Sequence, residues 1–446
     1  MEQVKFDLSK KGIPFKVLNG INGGPWHKRH GIGPFTLSNL EDYKAARIPL
    51  QRIHDSGIYS IYGGPFSYDV TKIFRNFDAD ENDPESYDFA NTDEAIQISL
   101  EAGTQIYFRL GETIEHQFKK VSVKPPKDFL KWAKICEHII MHYNEGWADG
   151  FHYDITFWEI WCEPDLAPDD SPHKPLWDGT QAEFFDFFEI TSRYLKNRFP
   201  DLKIGGPSLC VKQRWAEEFL AEMGRRKVPM DFFSWHIYTF TPERVLRTAR
   251  IMREFLDKNG YADIPSYLTE YNYLNIDWSN VDTSRNQMIY TFRQIIREKS
   301  AAFTMATICE AQKNSTIDML MYYCALPNAY CGVFDRLTYE PLKGYYPLAW
   351  YGQFYDLECD VACTESPENI YTLCGVDKDG KAMAIVTYYS NDDDAPDKDI
   401  AVDFGKSGKY EIYRVDASCT GELVDTTSDL NFHMPVHTIL LIKEIA

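Results

Sequence analysis

Short β-branched or apolar runs alternate with amphipathic stretches of helical length from Val17 to Cys324, and this alternation constrains the fold more than any other feature of the chain. Val17–Ile21 predicts a first strand that runs into the turn Asn22-Gly23-Gly24-Pro25. Further strands are expected at Pro49–Ile53, Thr104–Leu110, Ile155–Trp161, Lys203–Gly206, Asp231–His236, Ser266–Thr269 and Met319–Cys324. Between them the spacing predicts helices over Ser38–Ala46, with Ser38 as N-cap, and over Asn91–Glu101, Phe129–Tyr143, Gln181–Arg198, Lys212–Met223 and Pro242–Lys258. Ser284–Cys309 holds one long helix or two. About eight such pairs in about 330 residues fit an α/β chain closed into a (β/α)8 TIM barrel. A doubly wound open sheet also alternates, but eight units favour closure.

After Tyr351 the period changes to two. Asn369–Val376, Lys381–Tyr389, Lys398–Phe404, Tyr410–Val415 and His437–Lys443 are short alternating runs separated by turn residues, as in a small C-terminal antiparallel β-sandwich. The expected organisation is a barrel over residues 14–350 and a sandwich over 351–446, to which residues 1–13 add a strand.

Charge and cysteine usage narrow the partners. The net charge of −20, with Lys and Arg scattered, disfavours nucleic acid and anionic membrane surfaces and suits a neutral substrate, or none in particular. Aromatic residues make up 15% of the chain; much of that belongs in the core, and although a surplus of flat rings is what a sugar-binding cleft uses, composition alone does not justify that step. No run of about 18 apolar residues is present to span a bilayer. Met1-Glu2-Gln3-Val4-Lys5-Phe6-Asp7 is not a basic stretch followed by an apolar one, and the ten Cys include no C-x-x-C pair. Together these point to a reducing cytoplasm, or to a secreted or periplasmic protein only if a leader has been removed. Association into a homo-oligomer stays open.

Two glutamates stand apart by position. Glu163 follows the run Phe157–Trp161 at the C-terminal end of the fourth expected barrel strand, and Glu270 follows Tyr267-Leu268-Thr269 at the end of the seventh. Strand ends of a barrel meet around one mouth, where active sites are built. A single Glu at a strand end ordinarily does no more than pair with an Arg. Two of them facing each other across the mouth are what hydrolysis of a glycoside with retention requires: a carboxylic acid to protonate the leaving oxygen and a carboxylate to attack the anomeric carbon.

The segment Trp158-Glu159-Ile160-Trp161-Cys162-Glu163-Pro164-Asp165-Leu166 resembles the acid/base motif of glycoside hydrolase family 39, whose members include β-xylosidases and α-L-iduronidase. Tyr87-Asp88-Phe89, Trp177-Asp178-Gly179-Thr180, Gly205-Gly206-Pro207, Asp231 to Tyr238, Leu268 to Asn272, Gly332 to Asp335 and Gly344-Tyr345-Tyr346 fit the same family in order. The resemblance implies Glu163 as general acid/base, Glu270 as nucleophile, and His236 and Tyr238 in the sugar subsite next to the scissile bond. It also implies His54 as a pocket residue, and no cofactor. Trp26 and His27, just after the first strand, are further candidates for sugar contact.

The sequence departs from that pattern at two places. Cys162 stands where the family carries an Asn that bonds the sugar 2-hydroxyl, and a thiol is a weak donor and acceptor. At the end of the eighth strand, Tyr322-Tyr323-Cys324 stands where β-xylosidases tend to carry a Trp, which makes Tyr323 a further candidate for sugar contact. Either another group takes over the contact at Cys162, or the preferred sugar differs at that carbon, or catalysis is impaired. The expected activity is therefore that of a β-xylosidase-like enzyme, with α-L-arabinofuranosidase or a related glycosidase as the alternative. From another class, a carbohydrate-binding protein that has lost catalysis is the rival. His27, His30, His54 and His236 lack the carboxylate cluster a metallohydrolase needs, so no metal centre is expected. Cys162 has no adjacent base and an acidic neighbour, which argues against a nucleophilic thiol.

Overall fold

The computed structural model describes residues 1–27, 38–54, 68–210, 212–277, 281–314, 316–327 and 330–445, apart from the side chains of 281 and 282. A first strand, β1 (Glu2–Lys11), is followed by eight strands in parallel succession: β2 (Val17–Asn22), β3 (Leu50–Ile53), β4 (Gln105–Leu110), β5 (Phe157–Ile160), β6 (Lys203–Leu209), β7 (Phe233–Thr239), β8 (Ser266–Tyr273) and β9 (Met319–Tyr322). β2 to β9 close on themselves as a barrel, because β2 pairs with β9 as well as with β3. The eight-unit alternation thus resolves as closure rather than as an open sheet.

Helix signals lie where local chemistry supports them. The helix Gln181–Arg198 begins with a capping box, in which Thr180 accepts from the Glu183 backbone and Glu183 accepts from Thr180 in return. Asp128 caps Phe129–Asn144 through the Lys131 backbone. The first helix runs Leu40–Ala46 with Asn39 at its N-cap, one residue beyond the expected Ser38; Ser38 still accepts from the Leu40 backbone. The long segment near residue 290 is two helices, Val281–Gln294 and Glu298–Lys313. No helix among the described residues is long and apolar enough to cross a membrane.

Inside the barrel, Leu50, Tyr107, Phe232, Tyr267, Met319 and Met321 form a packed plug. Above it the same strands change character: Leu50 gives way to Arg52 and His54, and Phe157 to Glu159. Residues two apart on a strand share a face, so a floor of rings carries an ion pair and then an open mouth.

The remaining strands are β10 (Cys359–Glu365), β11 (Ile370–Val376), β12 (Ala382–Tyr388), β13 (Lys398–Asp403), β14 (Tyr410–Val415), β15 (Thr420–Thr427), β16 (Asn431–Met434) and β17 (Ile439–Glu444). They form one nine-stranded sheet in the order β15-β14-β17-β12-β11-β10-β1-β13-β16. Its pairs are antiparallel except β1 with β13, which is parallel. β10 bonds to both β1 and β11, so the two halves fold over one core of residues such as Val4, Phe6, Val386, Ile400 and Ile442. Alternate residues, among them Leu373, Ile385 and Leu441, turn the other way and join the barrel's core. That two-sided burial explains why every residue of β12 is buried.

Candidate active site

Glu163 lies three residues past β5 on backbone that few side chains adopt. Trp161 and Glu163 have φ of 69° and 44°, and Ser208, at the matching end of β6, has 60°. Left-handed non-glycine residues are strained by about 1–3 kcal/mol each and persist only where their surroundings hold them. Here the Trp161 amide donates to the Leu110 carbonyl (2.7 Å) and the Glu163 amide to the Ser208 carbonyl (2.8 Å). The buried Asp165 carboxylate accepts from the Cys210 (2.8 Å) and Lys212 (3.0 Å) amides, stitching the two loops together. The result fixes Glu163 at the mouth, with its side chain only 14% exposed.

Glu270 needs a different device. Trp235 pairs with Leu268, but the next residue, His236, pairs with Glu270, so Thr269 is an extra residue in β8. The pairing with β9 slips at the same place. Tyr267 packs inside the barrel against Phe232, and strict alternation would turn Glu270 outward. The bulge at Thr269 turns it back inward.

Arg52 is the hub beneath both. Wholly buried, it donates from Nε to Glu159 Oε2 (2.6 Å) and from Nη1 to Glu270 Oε1 (2.6 Å) and Asn22 Oδ1 (3.0 Å). From Nη2 it donates to Ser208 Oγ (2.9 Å) and, weakly, to Cys162 Sγ (3.5 Å). Tyr107 donates to the second oxygen of Glu159 (3.0 Å). Two buried carboxylates are thus held by one guanidinium, whose fork suits several acceptors at once.

Further donors surround the carboxylate pair. The Tyr238 hydroxyl donates to Glu270 Oε2 at 2.5 Å. His236 bridges the two glutamates: Nδ1 is 2.7 Å from Glu163 Oε1, and Nε2 is 3.5 Å from Glu270 Oε1 and 2.5 Å from Ser208 Oγ. His54 Nε2 lies 3.4 Å from Glu270 Oε1 and 3.8 Å from Cys162 Sγ, and the His54 carbonyl accepts from Arg109 (2.8 Å). Tyr323 presents its ring edge-on to both His54 and Tyr238.

Burial sets the charge states. It holds His236 down at about 4, and it holds His54 well below the usual imidazole range with help from Arg52 and Arg109, so both rings are neutral at pH 7. It pushes the Cys162 thiol up against the opposing pull of Arg52. Glu270 is raised above the ordinary carboxylate by burial and by Glu163, while Arg52 and the Tyr238 hydroxyl draw it back.

Six of the side chains singled out from sequence (Glu163, Glu270, His54, Cys162, His236 and Tyr238) meet here, and Tyr323 lines them. For the other two candidates, the Trp26 ring lies against Tyr339, and His27 Nδ1 is 3.0 Å from Ser38 Oγ. His30 lies outside the described residues. Sequence reasoning missed Arg52, Ser208, Glu159, Asn22 and Tyr107. The overlooked signal was a charged residue, Arg52 or Glu159, in the middle of an apolar barrel strand, where it must be paired.

Comparison with known proteins fits this geometry. The profile of glycosyl hydrolases family 39 matches residues 21–326, which span every barrel strand but the start of the first. The chain belongs to glycosyl hydrolase family 39. A β-xylosidase of Geobacillus stearothermophilus is 26% identical over 248 residues, 48% of this chain and 47% of that protein. An α-1,4-L-rhamnosidase of Formosa agariphila is 23% identical over 150 residues, 33% of this chain and 28% of that one. The family 39 chain thus spans about half the length, or less, of these curated relatives. Among solved structures, a glucosidase from Croceicoccus marinus superposes with a TM-score of 0.77 at 20% identity, covering 100% of this chain and 99% of that one. A family 39 enzyme from Xanthomonas axonopodis pv. citri gives 0.66 at 15%, covering 100% and 97%, and a family 51 α-L-arabinofuranosidase from Thermotoga petrophila gives 0.68 at 13%, covering 100% of both. These structural likenesses bear on the fold alone.

Proposed function

We propose that this family 39 chain is a retaining, β-xylosidase-like glycoside hydrolase that releases a terminal pentose from an oligosaccharide, with Glu270 as nucleophile and Glu163 as general acid/base. The observation that carries the reading is the proximity of the pair: a carboxylate oxygen of Glu163 and one of Glu270 lie within 4.8 Å of each other, with His236 between them. Retaining enzymes hold their carboxyl groups about 5–5.5 Å apart, whereas inverting ones leave about 6.5–9.5 Å for a water.

In the first step the Glu270 carboxylate attacks the anomeric carbon while Glu163 gives its proton to the departing oxygen, leaving a glycosyl ester on Glu270 and an ionised Glu163. In the second, Glu163 takes a proton from water, the water oxygen bonds the anomeric carbon, and Glu270 leaves. Arg52 and Tyr238 donate to the two oxygens of Glu270 and favour its ionised form before attack. The neutral His236 ring suits both states of Glu163. When Glu163 is protonated it donates to Nδ1, and Nε2–H donates to Ser208 Oγ. When Glu163 is ionised, Nδ1–H donates to it and Nε2 accepts from Ser208.

Cys162 supports a second reading within the same mechanism, an α-L-arabinofuranosidase or related enzyme. Its thiol is held between Arg52 and His54 in place of the family's amide, which leaves a weaker partner for a 2-hydroxyl. A panel of aryl glycosides and oligosaccharides, with product stereochemistry followed by NMR, tests both readings. Net retention on a pentoside, abolished in Glu270→Ala, is expected; inversion overturns the mechanism. Absence of turnover on every pentoside and hexoside favours a carbohydrate-binding protein instead.

A further inference from the structure

The proposed reaction gives Cys162 no step, yet its position carries a chemical consequence. Three donor atoms converge there: His54 Nε2 is 3.8 Å from Cys162 Sγ and 3.4 Å from Glu270 Oε1, and all three atoms lie within 4.8 Å of one another. All three residues are buried; His54 follows the end of β3, Cys162 lies two residues past β5, and Glu270 is in β8. Zinc bonds of about 2.0–2.1 Å to nitrogen or oxygen and about 2.3 Å to sulfur, opened at a tetrahedral angle, put neighbouring donors about 3.3–3.6 Å apart. The two separations from His54 Nε2, 3.4 Å to Glu270 Oε1 and 3.8 Å to Cys162 Sγ, need to change by only a few tenths of an ångström, and the thiol and carboxylate atoms lie within 4.8 Å of each other. One imidazole, one thiol and one carboxylate are also the donor types that a borderline-soft dication selects, whereas calcium and magnesium select oxygen alone.

We propose that His54, Cys162 and Glu270 form a binding site for a divalent cation of the zinc class, and that occupation of this site closes the enzyme by engaging its nucleophile. On binding, the Sγ–H bond breaks and an Sγ–metal bond forms, with the proton released to solvent. Nε2 of the neutral His54 ring and the ionised Oε1 of Glu270 supply the other two electron pairs. Thiolate and carboxylate together neutralise the cation. Arg52 lies behind both anionic donors, with Nη1 on Glu270 Oε1 and Nη2 toward Cys162 Sγ, where N–H donors orient ligands and offset their charge. Glu159 balances Arg52 in turn.

A second trio, Glu163, His236 and Glu270, is equally compact. Both ring nitrogens of His236 are already engaged there, by Glu163 and by Ser208, and that trio offers no thiolate. The proposed site is inhibitory rather than catalytic, since the carboxylate that must attack the sugar is held by the ion. That inhibitory half rests on the nucleophile role proposed for Glu270; the binding half does not.

The test titrates the metal-free, full-length protein with Co2+ and follows the thiolate-to-cobalt charge-transfer band in the near ultraviolet. One equivalent should bind, Zn2+ should displace it, and one proton should be released per ion. The apparent affinity should therefore rise about tenfold per pH unit while the thiol is protonated. The band should vanish in Cys162→Ser, and affinity should fall at least tenfold in His54→Gln, each variant first checked for a wild-type near-ultraviolet circular dichroism spectrum. Cys162→Ala replaces the serine variant if that one fails to fold. Absence of a band at excess Co2+ overturns the site. So does a band that persists without Cys162, which would place the ion on part-exposed thiols such as Cys363 or Cys419. Binding of Co2+ by a protein that hydrolyses no glycoside would leave the metal site standing and remove the proposed activity. Turnover unaffected by saturating Zn2+ would overturn the inhibitory half.

Discussion

Removing the Tyr238 hydroxyl should move the acid limb of activity to higher pH. The hydroxyl donates to Glu270 Oε2 at 2.5 Å, and Glu270 is already raised above the ordinary carboxylate by burial. Tyr238→Phe deletes a donor that favours the ionised form, so the carboxyl rises further. A hydrogen bond to a charged acceptor is worth about 1.5–3 kcal/mol, and one pKa unit corresponds to about 1.4 kcal/mol. The limb of kcat/KM that reports the free nucleophile should therefore shift upward by about 1–2 pH units. The assay is kcat/KM on an aryl pentoside across the acid to neutral range, for wild type and Tyr238→Phe. At low pH the variant should be slower by about 10- to 100-fold, and above the displaced limb it should recover to within a few-fold. A limb that stays in place refutes the argument. A loss equal at every pH would assign the hydroxyl to contact with the sugar rather than to control of Glu270.

Two further outcomes concern stability. His236 is held at about 4 in the folded protein, against about 6.5 when exposed, so the unfolded chain takes up a proton that the native ring refuses. Its contribution, about 3 kcal/mol from that difference, is present above about pH 6.5 and is lost as pH falls toward 4. Urea unfolding at pH 7 and pH 4.5 should show wild type losing more stability than His236→Gln, and equal losses would refute this. Arg52→Met should destabilise by about 3–5 kcal/mol, because Glu159 and Glu270 are left buried without their cation. Arg52→Lys should not restore the wild-type midpoint, since an ammonium cannot reproduce the fork that reaches Glu159, Asn22, Glu270 and Ser208 at once. A lysine variant with wild-type stability in thermal unfolding would contradict that.

The closed barrel was legible because each of its strands is short, buried and followed by a helix, so that periodicity alone marks the alternation. The edges of the second sheet were less so. β15 (Thr420–Thr427) is largely exposed and has no apolar face to betray it, and β10 (Cys359–Glu365) ends in exposed polar residues. β16 (Asn431–Met434) is too short to show a period. The two glutamates were legible as strand-end residues, but what aims them was not. A strict period of two puts Glu270 on the opposite face from Tyr267, and nothing local in Leu268-Thr269-Glu270 announces the extra residue that reverses it. The bulge is set by the partners on both sides, His236 on β7 and Tyr322 on β9, which are distant in sequence.

The same holds for Arg52. Register places Asn22, Arg52 and Tyr107 opposite one another on β2, β3 and β4, yet Arg52 also reaches Glu159 on β5 and Glu270 on β8. A cylinder makes neighbours across its bore of residues that no pair of adjacent strands brings together. A charge in the middle of a buried strand still demands a partner, and counting such charges identifies Arg52 and Glu159 before any coordinates exist. Matching them within the bore then leaves the guanidinium with more donors than Glu159 can accept. The surplus is what reaches Glu270, so a residue that looks like a structural tie in the barrel floor acts on the carboxylate proposed to attack the sugar.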